Sequence, residues 1–107
     1  MRYRLAALLA AALLLALPSC AAPVLPLPPP VAFVGPPDLG GIVTVSGEAR
    51  PFAYVAVLNE STDQGAIGRA DATGTFSVRL AAQTGDSLQV WQFEGGTGGE
   101  QTPLIVP

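Results

Sequence analysis

The sequence predicts an all-β protein: a small antiparallel sandwich of six or seven strands, preceded by an export signal and a proline-rich linker. Three observations carry this reading. Past residue 38 the apolar residues recur with period two, most cleanly in Thr75-Phe76-Ser77-Val78-Arg79-Leu80, where Phe76, Val78 and Leu80 share a face; that is the mark of a half-buried strand. Clusters of Gly, Asp, Asn and Pro interrupt the apolar runs about every ten residues, as the turns of a sandwich do. Beyond the N-terminal run, no segment spaces its apolar residues as an amphipathic helix requires.

Taken in order, residues 1–19 read as the signal. Met1-Arg2-Tyr3-Arg4 is a short basic start, and 5–17 is an unbroken run of Leu and Ala. A run of that length is too short for a hydrocarbon core that needs about 20 residues, and it suits the apolar part of a signal peptide. Cys20 is the only cysteine of the chain. It has no intramolecular partner, which leaves a free thiol, an intermolecular bridge or a modified residue. Its place beside the signal favours modification.

Residues 20–37 form a linker rich in proline, with the run Pro28-Pro29-Pro30. Proline fixes φ and offers no N–H, so this stretch is expected to be an extended polyproline spacer, a stalk of about 3.1 Å per residue. Its apolar segment Val31-Ala32-Phe33-Val34 either docks on the domain or forms a first edge strand. A proline-rich ligand for a partner is the weaker reading.

The domain is placed at 38–107. Strands are expected at 42–45, ended by Ser46-Gly47; at 52–58; at 66–70; at 75–80; at 87–93; and at 102–106, interrupted early by Pro103. Asn59 to Gly65 and Asp71-Ala72-Thr73-Gly74 are turns. In 87–93, Leu88 and Val90 share a face, and the alternation then shifts to Trp91 and Phe93, which predicts a bulge. Glu94-Gly95-Gly96-Thr97-Gly98-Gly99-Glu100 reads as a mobile loop between two strands.

Two resemblances emerge from these residues. Leu17-Pro18-Ser19-Cys20 resembles the lipobox of bacterial lipoproteins, with Pro18 in place of the usual small residue. The likeness implies that Cys20 is acylated on sulfur and becomes the mature N-terminus, a stable membrane anchor. Ala21, where an aspartate often marks inner-membrane retention, implies an outer-membrane lipoprotein of the cell envelope. Ordinary signal cleavage nearby, for example after Ala21, is the alternative. Further on, Val45-Ser46-Gly47-Glu48-Ala49-Arg50-Pro51, the stretch from Ala70 to Val78, and Gly85-Asp86-Ser87-Leu88 are similar to the repeating pattern of bacterial Ig-like domains. Carboxypeptidase-regulatory, transthyretin-like sandwiches share the Asp-x-x-Gly-x-Phe turn. Both likenesses imply a structural or adhesive module.

Composition narrows the chemistry. There is no lysine and no histidine, and beyond the signal Arg50, Arg69 and Arg79 stand against all eight acidic residues. A nucleic-acid partner needs a basic footprint that this chain lacks, and a polybasic grip on anionic lipid is excluded on the same ground. Nucleophilic sites built on a neighbouring His or Lys base are ruled out by inventory. The remaining carboxylates fall in turns or beside the Gly loop, so no catalytic residue, metal site or cofactor is expected. Asn59, Glu60, Asp63 and Asp71 are read as turn formers rather than as calcium ligands. Acidic flanks and the missing Lys-Ser/Thr exclude a phosphate cradle at the Gly loop. Trp91 and Phe93 are the candidate binding residues, as an exposed platform for a sugar; the competing place for Trp91 is the core, the commoner position in a small sandwich.

The expectation is therefore a non-catalytic lipoprotein, held to the membrane through Cys20, with an envelope protein or a glycan as partner. The alternative is a secreted or periplasmic module that binds a glycan or a peptide through residues 91–100.

Overall fold

The computed structural model describes residues 26–107. Cys20, the lipobox and the signal lie outside the described residues. Eight strands follow one another: β1 (Val31–Val34), β2 (Ile42–Glu48), β3 (Tyr54–Asn59), β4 (Gln64–Arg69), β5 (Thr75–Ala81), β6 (Ser87–Glu94), β7 (Thr97–Gly98) and β8 (Thr102–Ile105). They form two antiparallel sheets, β1-β2-β5 and β4-β3-β6-β7, with β8 also paired to β6. The protein is a small all-β sandwich.

Alternation builds the core. Val43 and Val45 of β2 and Phe76, Val78 and Leu80 of β5 point inward from one sheet; Val55 and Val57 of β3 and Leu88 and Val90 of β6 meet them from the other. Each buried aliphatic or aromatic side chain of this kind contributes about 1.5–3 kcal/mol. These β-branched and aromatic residues suit the extended backbone and pack well on a pleated surface.

Three elements depart from the sequence expectation, each for a physical reason. First, the proline-rich stretch is no free stalk from residue 26 onward, and Val31-Ala32-Phe33-Val34 forms the first edge strand that the sequence offered as one of its two readings. β1 pairs antiparallel with β2, Val31 opposite Glu48 and Val34 opposite Val45, and Ala32 joins the core. Leu27 is buried and bridges Gly99 in parallel. Thr102 Oγ1 donates to the Pro30 carbonyl at 2.7 Å. Proline is tolerated here because β1 is an edge strand, and its flanking prolines bond through their carbonyls. The folded unit thus takes in residues expected to be linker.

Second, β2 runs on through Ser46-Gly47 to Glu48, paired along its length with β5. Gly47 sits opposite both Ala32 and Phe76. A Cβ there would fall on the Val31 carbonyl oxygen. The glycine is a point of close approach rather than a strand end.

Third, β6 contains no bulge. Its register with β3 is continuous from Tyr54 opposite Phe93 to Asn59 opposite Leu88. The inward phase simply continues through Leu88, Val90 and Gln92. The glycine stretch after it is a tight hairpin: Glu94 pairs with Thr97 around Gly95 and Gly96, whose φ of 53° and 84° are the two positive values of a type I′ turn. Pro103 lies within β8, opposite Gln89, as an edge strand permits.

Candidate functional site

The outward face of β4, β3 and β6 gathers the residues that alternation turns away from the core. The registers lay them out in rows: Arg69, Tyr54 and Phe93; then Ile67, Ala56 and Trp91; then Gly65, Leu58 and Gln89. No carboxylate stands in these rows. Small residues in the middle of the face leave a shallow apolar groove of about 450 Å³, walled by Trp91 and Ile67 and floored by Ala56, Leu58 and Gly65. Ile67 is 66 % exposed.

Trp91 therefore lies on the outer face, half-buried, and not in the core. The reason is the unbroken alternation of β6, which gives the inward positions to Leu88, Val90 and Gln92. Phe93 shares the outer face with Trp91, one row nearer the β6–β7 hairpin.

The row at that end is an aromatic stack. The Tyr54 and Phe93 rings lie 5.5 Å apart at 20°, an offset stacked pair across two strands. The Arg69 guanidinium covers Tyr54 at 5.2 Å and also reaches Phe52, at 5.7 Å. Its Nε donates to the Phe52 carbonyl at 3.0 Å. Phe52 itself has φ 62° and is 54 % exposed. For a bulky side chain that backbone costs about 1–2 kcal/mol, and an outlier of this sort at the surface points to a role beyond stability.

Tyr54 is flanked by Phe93 and Arg69. The groove, by contrast, offers apolar walls with room for aliphatic side chains.

Gln92 is a site the sequence reading missed. It is only 2 % exposed. Its Oε1 accepts from the Arg50 backbone N–H at 2.8 Å, and its Nε2 donates to the Pro28 carbonyl at 2.8 Å. One side chain thus ties the N-terminal segment and the β2–β3 turn to β6. Its signal in the sequence was the inward phase itself, in which a polar residue occupies a core position.

The acidic turns are occupied with their own backbone. Asp71 accepts from Thr73 Oγ1 and from the Thr73 and Thr75 N–H groups, and these bonds, that of the Thr73 hydroxyl foremost, hold its carboxyl below the usual value. Asp86 accepts from the Gln83 N–H and from Asn59 Nδ2, both at 2.9 Å, and is lowered for that reason. Asp38 accepts from the Ile42 and Gly40 N–H groups and pairs with Arg79 at 3.3 Å, and is likewise lowered. Asn59 is fully buried, its amide spent on Asp86, Ala81 and Ser61. Asp63 and Asp71 flank opposite ends of β4. Among the described residues no group of three metal-binding side chains comes together.

No model of a known protein family matches this chain, and no curated protein matches its sequence.

Proposed function

We propose that the protein is a cell-envelope lipoprotein, anchored through Cys20, whose Ig-like sandwich is a non-catalytic binding module. The observation that carries the binding role is the groove on the solvent face of the five-stranded sheet, where Trp91, Ile67 and Leu58 stand outward. A contiguous apolar patch on a solvent face marks an interaction site, where scattered single residues do not. The partner that suits this face is a polypeptide segment of another envelope protein with apolar side chains for the groove. A glycan is the lesser fit, because Tyr54 is stacked on Phe93 and covered by Arg69 and the groove beside Trp91 is lined by apolar side chains.

Two further features support the reading. The sheet orders β1-β2-β5 and β4-β3-β6, with β8 paired to β6 alongside the short β7, are those expected of strands A-B-E and C′-C-F-G in an immunoglobulin-type sandwich that lacks D. The Leu17-Pro18-Ser19-Cys20 run stands shortly before the first residue of the fold. Intact mass of protein extracted from its own membranes reads cleavage and acylation together, and the expected species begins at an acylated Cys20. In fractionation, the wild type goes to the membrane and Cys20→Ala to the soluble fraction. Equal solubility of the two forms refutes the anchor. An apolar peptide from a partner that seats in the groove shifts the emission of Trp91, the only tryptophan.

A further inference from the structure

We infer that the end of the sandwich carrying Phe52, Tyr54, Arg69 and Phe93 rests on the lipid surface, with these aromatic side chains in the headgroup boundary. This rests on the anchor reading above and adds to it an orientation and a second membrane contact.

The argument begins with chain length. The fold takes hold of the chain at Leu27, seven residues after Cys20. Seven residues reach at most about 25 Å even when fully extended, about the length of a single strand of the size of β6. A sandwich held so closely has one end toward the bilayer. That end is set by where the chain joins: Leu27 bridges Gly99, next to the β6–β7 hairpin.

The second step is what stands there. β6 arrives at this end with Phe93, β3 leaves it with Tyr54, and β4 returns to it with Arg69. Phe52 lies just before β3, exposed and with a positive φ. Aromatic rings with a polar tip or a neighbouring cation belong at a membrane–water boundary, where ring and charge are both solvated as they prefer. The strained backbone of Phe52 gains a purpose there.

Charge fixes the kind of surface. The same end carries Glu48, Asp71, Glu94 and Glu100, with Arg50 paired to Glu94 at 3.4 Å and Arg69 over the rings. It is not a basic patch, so the occupant is a zwitterionic surface and the contact is apolar in origin. Salt leaves it unchanged.

The test uses acylated protein reconstituted in phosphatidylcholine vesicles whose acyl chains are brominated near the headgroup. Trp91→Phe removes the native emission, and Phe52→Trp or Phe93→Trp then reports from the membrane end. Thr62→Trp reports from the far end. The expected result is an emission loss of about two-fold at 52 and at 93, since a ring seated about 5–10 Å into the boundary meets the bromines. The loss persists at high salt, and the reporter at 62 is unaffected. Two reporters keep the test decisive if one variant fails to fold. Unquenched emission at both, in protein whose mass shows an acylated Cys20, overturns the orientation and leaves the anchor standing. A bare Cys20 in that mass removes the anchor, and the orientation with it.

Discussion

Gln92→Glu tests whether one buried amide holds the N-terminal segment to the sandwich. The substitution keeps shape and volume. One carboxylate oxygen still accepts from the Arg50 N–H, but the other now faces the Pro28 carbonyl, where Nε2 had donated at 2.8 Å. At neutral pH two acceptors oppose each other, and a charge is buried at a position only 2 % exposed. Desolvation and the facing carbonyl disfavour the ionised form and raise its pKa above the unfolded value. A buried charge left facing an acceptor costs about 3 kcal/mol at pH 7.5. For a domain of this size that lowers Tm by roughly 12–24 °C. The sign of the pH dependence is the sharper test. The folded variant binds its proton more tightly than the unfolded chain, so its stability relative to wild type rises as pH falls. Once protonated, the carboxyl donates to Pro28 as the amide did. The deficit shrinks as pH falls toward 5. Chemical denaturation of both proteins at the two pH values measures it. A deficit that is absent, or that is equal at both pH values, refutes the role assigned to Gln92.

Gly47→Ala drives a methyl group onto the Val31 carbonyl and is expected to peel β1 from β2, read as faster proteolysis within 26–37 and a loss of about 1–3 kcal/mol. Val90→Ala opens a void among Val55, Val57 and Leu88 and costs about 2–3 kcal/mol in equilibrium denaturation with an unchanged m-value. The lowered carboxyls of Asp38, Asp71 and Asp86 contribute stability that is fully present above about pH 4 and is lost as pH falls through their folded values; Asp71→Asn and Asp86→Asn are expected to flatten the acid limb of a pH–Tm curve and leave its neutral slope alone. Phe52→Gly relieves the left-handed backbone, worth about 1–2 kcal/mol, and gives up an exposed cation–π contact of about 0.5–1 kcal/mol, so its Tm equals or slightly exceeds that of wild type.

Most of the strand plan was legible because one force wrote it. Wherever a strand has a wet face and a dry one, burial imprints alternation on the sequence, and Phe76, Val78 and Leu80 show it plainly. Legibility failed where a polar residue took an inward position or an apolar one an outward position. At β6 both happened at once. Gln92 inside and Trp91 and Phe93 outside imitate a change of phase, and a bulge is the natural inference if hydrophobic is equated with buried. The strand keeps its phase because the Gln92 amide finds both its partners, at Arg50 and Pro28, so the buried polar group is satisfied. The proline-rich stretch misled for a related reason. Composition reports that prolines cannot donate, but it does not report that their carbonyls accept, as those of Pro28 and Pro30 do from Gln92 and Thr102.

These two failures bear on the same end of the molecule. The apolar residues that the fold does not need inside, Trp91 and Phe93 on β6, Tyr54 on β3 and Phe52 just before it, are displayed at the surface, and the stretch expected to be a stalk is spent instead on the edge strand of the other sheet. A long stalk leaves an aromatic face free to point anywhere. On the proposed anchor at Cys20, a chain captured at Leu27 does not, since only seven residues separate the anchor from the fold. The orientation of the module then follows from where Gln92 fastens the chain. If that fastening is undone, as in Gln92→Glu at neutral pH, the proposed tether lengthens toward residue 37, and the quenching expected of the reporters at 52 and 93 is lost while the core stays folded.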